Sequence, residues 1–209
     1  MNPSQTAAIF VGYQNDYFAR DGILRGVVED PGRVDHVLEN TLAFVNAVAA
    51  TDITLISTPI VLAENYRALA QPVGILNSMK QFGAFKEGSS GAETIPEFLA
   101  FGDRITYISG KVGFNAFDGT QLQEQLAVRG IRNVLVAGMV TSLCIDSTGR
   151  AAYERGFNVT IMSDCSSART EFEHSFYCEK IFPLYSRAIN STELTAELLS
   201  AVALLSAVA

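Results

Sequence analysis

The stretch "NVLVAGMVTSLCIDSTGRAAYERGF", residues 133–157, decides the fold class. Residues 133–138 are dominated by Val, Leu and Ala without polar alternation, as in a strand covered on both faces. A short turn, "MVTS", follows. A helical pattern then runs from 141 to Gly156, a residue suited to ending a helix. Cys144 falls in the first turn of that helix. A helix N-terminus is electropositive and exposes unpaired amides, so it favours a thiolate over a thiol. The same amides, near Val140 to Cys144, suit an oxyanion formed when the thiolate attacks a carbonyl. A buried structural cysteine is the competing reading, since free cysteines are commonly buried.

Outward from this stretch the pattern repeats. Short β-rich runs occur at 8–12, 53–57, 104–108, 158–163 and 186–189, and most are apolar throughout. Val34, Val37, Leu38, Leu42, Val45 and Val48 recur at helical spacing after Asp30 and Pro31, a cap and first-turn pair. A second helix lies in 119–130, with Leu122 and Leu126 four apart and Gly130 at its end. The last begins near Asn190, with Glu193 three residues on, as in a capping box. Alternating strands and helices predict one doubly wound α/β domain over residues 1–209. Ligands in such sheets bind at the carboxyl ends of the strands. Lys111 follows the third strand and Gly12 ends the first. Segment 58–102 breaks the alternation and reads as a long functional or interface loop.

Bulk properties narrow the function classes. The chain has 209 residues, 48% hydrophobic and 18% charged, with a formal net charge of -7. An acidic chain without a Lys/Arg run is a poor nucleic-acid binder. The N-terminus "MNPSQT" lacks a signal-peptide pattern, and no apolar run reaches the roughly 18 residues of a membrane span. The apolar tail "LLSAVALLSAVA" is too short to span and reads as a terminal helix packed on the body or on a partner subunit. Three scattered cysteines, Cys144, Cys165 and Cys178, fit a reducing cytoplasm better than a disulfide scaffold. Two distant histidines, His36 and His174, give no basis for a metal site or another cofactor.

The order Lys111, "GFNAF", "GT", then "GMVTSLC" is specific. With "YQNDYF" near the start, "EGSSGAETIPEF" and "STELTAEL", it resembles the isochorismatase-like hydrolases, or cysteine hydrolases, over residues from about 7 to about 195. The resemblance implies a three-layer α/β/α fold with a six-stranded parallel sheet, assembled as homodimers or homotetramers. It implies a catalytic Asp, Lys and Cys, the Cys attacking an amide carbonyl and the Asp serving as general base and acid. It also implies a non-proline cis peptide, here Met139–Val140. Cys144 and Lys111 match the motif.

The Asp position falls on Gly12, in a register fixed by Gln14, Asn15 and Asp16. Glycine there removes the carboxylate and is expected to leave space. Asp16, Glu64, Glu87 and Asp118 are the candidate substitute bases, each also readable as a turn or surface residue. Tyr13, Phe114 and Phe117 are candidate pocket residues, each equally readable as core. Cys165 and Cys178 read as structural, and His174 as a packing or surface residue. The region after the second strand, "STPIVLAENYRAL", has no His, so no zinc is expected, and vinyl-ether hydrolysis fits poorly without the Asp. The sequence therefore predicts a cysteine-dependent hydrolase of a small amide or related C–N bond. Its alternative is a pseudoenzyme that keeps the pocket for a small molecule or a protein partner.

Overall fold

The computed structural model describes residues 1–69 and 71–208, with side chains described up to residue 204 within the last helix. Six strands form one sheet: β1 (Thr6–Val11), β2 (Thr54–Thr58), β3 (Ile105–Tyr107), β4 (Asn133–Met139), β5 (Asn158–Ser167) and β6 (Arg187–Ile189). Their order is β3-β2-β1-β4-β5-β6 and every pairing is parallel. The helices are α1 (Asn15–Phe18), α2 (Gly32–Val48), α3 (Gly74–Phe82), α4 (Pro96–Leu99), α5 (Leu122–Val128), α6 (Asp146–Glu154), α7 (Glu171–Phe176) and α8 (Ser191–Val208).

The continuous apolar strands are explained by two cores. Side chains alternate across a strand, so each strand feeds both faces. From β1, Ala8 and Phe10 enter one core and Ala7, Ile9 and Val11 the other. The first core receives Val34, Val37, Phe44, Val45 and Val48 of α2, together with Leu194 and Leu198 of α8. The second receives Leu122 and Leu126 of α5 and Ala151 and Ala152 of α6. Leu198 thus docks the start of the apolar tail on the body, whereas Leu199 and Leu204 are exposed and the side chains beyond residue 204 lie outside the described residues. No helix among the described residues is long and apolar enough to cross a membrane.

The cap of α2 falls on Pro31, one residue later than expected, but Asp30 still serves its first turn, and Asn190 caps α8 as expected. The Asp30 carboxylate accepts the Gly32 amide at 2.9 Å, and Asn190 Oδ1 accepts the Glu193 amide at 2.8 Å. The reading of 58–102 as a loop needs correction, because it contains α3, α4 and a tight turn at Ser90–Ala92. Ile75, Leu76, Met79 and Phe82 do recur at helical spacing, and Ile75 and Leu76 pack beside the buried Met79, so this helix is legible in the sequence and the loop reading overlooks it.

Residues 14–16 pin this segment to the sheet. Gln14 is fully buried; its amide donates to the carbonyls of Ile60 (2.6 Å) and Ala92 (2.7 Å) and accepts from the Ile60 N–H (2.7 Å). Asn15 donates to the Ser90 carbonyl, and Asp16 accepts the Phe85 N–H at 2.5 Å. Gln14→Ala removes three buried hydrogen bonds and strands their backbone partners. It should destabilise the fold by about 2–4 kcal/mol, measured as a lower urea midpoint.

Candidate active site

The sheet order fixes where a site can form. The chain builds β1, β2 and β3 outward, then returns to lay β4 against the other side of β1. The direction reverses between the carboxyl ends of β1 and β4, the usual ligand crevice of an open α/β sheet. There Val11 pairs with Gly138. Gly138 has φ +127°, and a Cβ on it would lie 2.0 Å from the Val11 carbonyl oxygen. Only glycine lets the two strand ends run this close.

The Met139–Val140 peptide that follows is cis. Thr141–Ile145 then forms a wide turn before α6, in which the Val140 carbonyl accepts from the Leu143 N–H (3.1 Å) and the Ile145 N–H (3.2 Å). Cys144 sits in this turn rather than in α6 itself. From α7, the His174 ring nitrogen Nδ1 meets Thr141 Oγ1 at 2.9 Å and braces the turn. From α6, Thr148 Oγ1 accepts the Ala116 N–H at 3.1 Å and fastens the "GFNAF" loop beside it.

Lys111 reaches the same turn. It pairs with Ile60 in an isolated parallel bridge, and its side chain runs inward. Its Nζ donates to the Gly113 carbonyl at 2.5 Å and to Cys144 Sγ at 3.6 Å. Lys111 is fully buried, and Cys144 is 2% exposed. Burial lowers the Lys111 pKa, and the contact with Cys144 partly offsets that shift. Burial pushes the other two thiols up, Cys165 to about 12 and Cys178 to about 11, as suits structural cysteines.

The four candidate substitute bases do not join this pair. Asp16 is spent on the Phe85 amide and packs so tightly on Gly91 that a Cβ there would lie 2.1 Å from its Oδ1. Glu64 is exposed and pairs with Lys86 at 3.2 Å. Glu87 and Asp118 are exposed. Among the described residues none of the four bonds to Cys144 or Lys111.

The space expected at Gly12 is also corrected. Gly12 lies just past β1 with φ +77°, and a Cβ there would meet the Tyr17 ring at 3.3 Å and the Met139 carbonyl oxygen at 3.6 Å. The void is filled by an aromatic ring. Sequence reading does not single out Tyr17, because an aromatic in a turn beside a buried strand looks like core.

The aromatic pocket candidates mostly pack elsewhere. Tyr13 is fully buried between Phe18 and Phe98, stacked at 4.8 and 4.4 Å, with its hydroxyl 2.6 Å from Thr41 Oγ1. It belongs to the α2-side core rather than a pocket. Phe117 packs on Phe157 beneath the Arg155 guanidinium, also in the core. Phe114 is half-buried against the same core. Among the described residues, no group of three or more His, Cys, Asp and Glu side chains is disposed to hold a metal ion.

Comparison with known proteins now places the chain. The family model described as "Isochorismatase domain" matches residues 6–193. The chain belongs to the isochorismatase family. It is 33% identical over 147 residues to the uncharacterized isochorismatase family protein YecD of Escherichia coli O157:H7, covering 64% of this chain and 77% of that protein. It is 27% identical over 178 residues to the ureidoacrylate amidohydrolase RutB of Stutzerimonas stutzeri (strain A1501), covering 79% of this chain and 71% of that protein. A cysteine hydrolase from Pseudomonas syringae pv. phaseolicola 1448A shares the fold, with a TM-score of 0.78 at 19% identity, over 96% of this chain and 95% of that one. The chain is thus an isochorismatase-family hydrolase with a six-stranded α/β/α architecture. Within that family frame the chain has a buried Cys144–Lys111 contact to which, among the described residues, no carboxylate bonds.

A buried lysine without a carboxylate partner stabilises a fold poorly. Lys111→Met should therefore leave stability unchanged or raise it by about 1–2 kcal/mol. The same change should slow alkylation of Cys144 by iodoacetamide. Urea unfolding and peptide mass mapping read the two effects separately.

Proposed function

We propose that this isochorismatase-family hydrolase cleaves a small amide or related C–N bond through an acyl-enzyme on Cys144, with Lys111 carrying the proton. The observation that supports this reading is the 3.6 Å contact between two buried groups at the switch point of the sheet. A lysine and a cysteine in contact share one labile proton and titrate as a unit. Burial lowers the Lys111 pKa, which brings its neutral amine within reach as a base.

Transfer of the Cys144 proton to the Lys111 amine forms a thiolate–ammonium pair. The thiolate attacks the substrate carbonyl carbon, and backbone N–H groups near Val140 to Cys144 receive the oxyanion. Lys111 gives its proton to the leaving nitrogen as the C–N bond breaks. A thioester and a neutral lysine remain. Water then attacks the thioester while Lys111 takes a proton from it. The C–S bond breaks, the acid leaves, and the thiolate–ammonium pair is restored. No carboxylate is needed to balance either half-reaction.

The test is a panel of small amides, ureides and N-carbamoyl compounds. Wild type should release amine or ammonia and accumulate an acyl mass on the Cys144 peptide. Cys144→Ala should lose at least about 1,000-fold in turnover. Absence of both turnover and adduct across the panel would sink the hydrolase mechanism and favour a binding-only role for the pocket.

We also propose that the chain self-associates, as a homodimer or homotetramer. Phe172 and Leu184, 79% and 75% exposed, present apolar surface around α7 and beyond it. Sedimentation should show an assembly that Phe172→Glu weakens.

A further inference from the structure

Outside the Cys144–Lys111 pair, His174 is the side chain that grips the nucleophile's turn. Among the described residues, two hydrogen bonds join side chains of Thr141–Ile145 to other elements: Lys111 to Cys144, and His174 with Thr141. His174 lies on α7 and is engaged through both ring nitrogens. Nδ1 is 2.9 Å from Thr141 Oγ1, and Nε2 is 3.6 Å from Cys178 Sγ, one helical turn further along. Thr141 is fully buried, and this ring is the partner recorded for its hydroxyl.

These contacts decide where the ring proton sits. A buried hydroxyl proton needs an acceptor, so the Thr141 O–H donates to Nδ1. The ring proton then lies on Nε2, facing the sulfur. Cys178 stays a thiol at neutral pH, because burial pushes it up to about 11. A second proton can enter the ring only at Nδ1, the atom that holds Thr141. It turns that acceptor into a donor and leaves the Thr141 proton without a recorded acceptor.

The surroundings give a charged ring little support. From α2, Arg33 and His36 line the same surface cavity as His174, together with Asp164 of β5. The Asp164 carboxylate is taken by the Ser191 N–H (2.7 Å) and hydroxyl (2.8 Å). On α7 itself, Glu171 pairs with Arg33, and Glu173 with Arg169 at 3.1 Å. Among the described residues, no carboxylate bonds to the imidazole. Burial, then the Arg33 cation, lowers the His174 pKa, and Glu171 and the Ser163 backbone offset this only in part. The ring is therefore neutral at pH 7 and gains its charge below the ordinary value of about 6.5.

We propose that His174 is a positioning residue for Cys144: its neutral ring ties the nucleophile's turn to α7 through Thr141, and protonation at Nδ1 releases that turn. This rests on the reading of Cys144 as the nucleophile. Thr141 opens the turn and Cys144 lies within it, so a turn freed at Thr141 no longer fixes the sulfur against Lys111. Lys111 moves the proton, and His174 sets whether lysine and sulfur are aligned. The site thereby carries an acid cut-off separate from the titration of the Cys144–Lys111 pair.

The test is the rate of Cys144 alkylation by iodoacetamide from mild acid to pH 8, read on the Cys144 peptide, for wild type, His174→Asn and His174→Ala. Asparagine can offer an oxygen where Nδ1 stood and does not titrate. Wild type should show an extra loss of about 3- to 10-fold in acid, the worth of one hydrogen bond. His174→Ala should be slow by the same factor at every pH. His174→Asn should restore most of the rate and lack the extra loss, which a merely structural role would not produce. Nitrogen-15 NMR of the imidazole should show the Nε2–H tautomer at neutral pH. A His174→Ala profile that superimposes on wild type, or an Nδ1–H tautomer, overturns the proposal while leaving Cys144 an activated nucleophile. An extra acid loss that persists in His174→Ala also overturns it and assigns the loss to the Cys144–Lys111 pair. A wild-type Cys144 that titrates as an ordinary thiol overturns both this inference and the nucleophile reading beneath it.

Discussion

The close approach of β4 to β1 at Gly138 is the constraint on which the site depends. A Cβ there would press to 2.0 Å from the Val11 carbonyl oxygen, so the two strand ends can pair to their last residue only with glycine. That pairing sets the Met139 carbonyl against Gly12 and aims the following turn, with Cys144, back across the end of β1. The clamp made by Gln14, Asn15 and Asp16 works at the same place. It draws residues 60 and 85–93 over the strand ends, and Ile60 in turn bridges to Lys111. Backbone geometry, rather than any one reactive group, brings lysine and cysteine together.

Within that frame the balance of charge is unusual. Lys111 is fully buried, and its recorded partners are a carbonyl oxygen and a thiol. An ammonium in that setting needs an anion, and Cys144 is the group in contact that can become one. The pair is therefore either neutral on both sides or an ion pair, and a single proton decides which. A carboxylate in the same space would add a second negative charge.

Much of this was legible in the chain itself. Unbroken apolar runs implied strands covered on both faces, and all six form within a few residues of their expected positions. Asn190 and Glu193 announced the start of α8, and the Gly156 end of the helical stretch was correctly read. The motif order from Lys111 to Cys144 pointed to the two residues now found in contact. The misses differ in kind. The α3 helix does leave a periodic trace in Ile75, Leu76, Met79 and Phe82, but it is short and lies among Gly-rich and polar loop sequence. Tyr13 and Phe117 are aromatic, and type alone does not tell whether a ring faces a pocket or a core. The four carboxylates were plausible by proximity in sequence, but proximity says nothing about which backbone amide claims each one, as the Phe85 amide claims Asp16.

The sequence by itself determined the layers of the fold and the family, and its motif named the lysine and cysteine that the structure brings into contact, because these follow from hydrophobic period and from motif residues in order. The resemblance also implied that the position of the first-strand carboxylate falls on Gly12. Only the tertiary structure decided what stands in its place. Whether a side chain can enter the gap above Gly12 depends on the φ of +77° at that glycine and on the path of α1, which carries the Tyr17 ring to 3.3 Å from where a Cβ would be. Local sequence preferences do not encode a contact of that kind, since it arises where three separate chain segments meet in space.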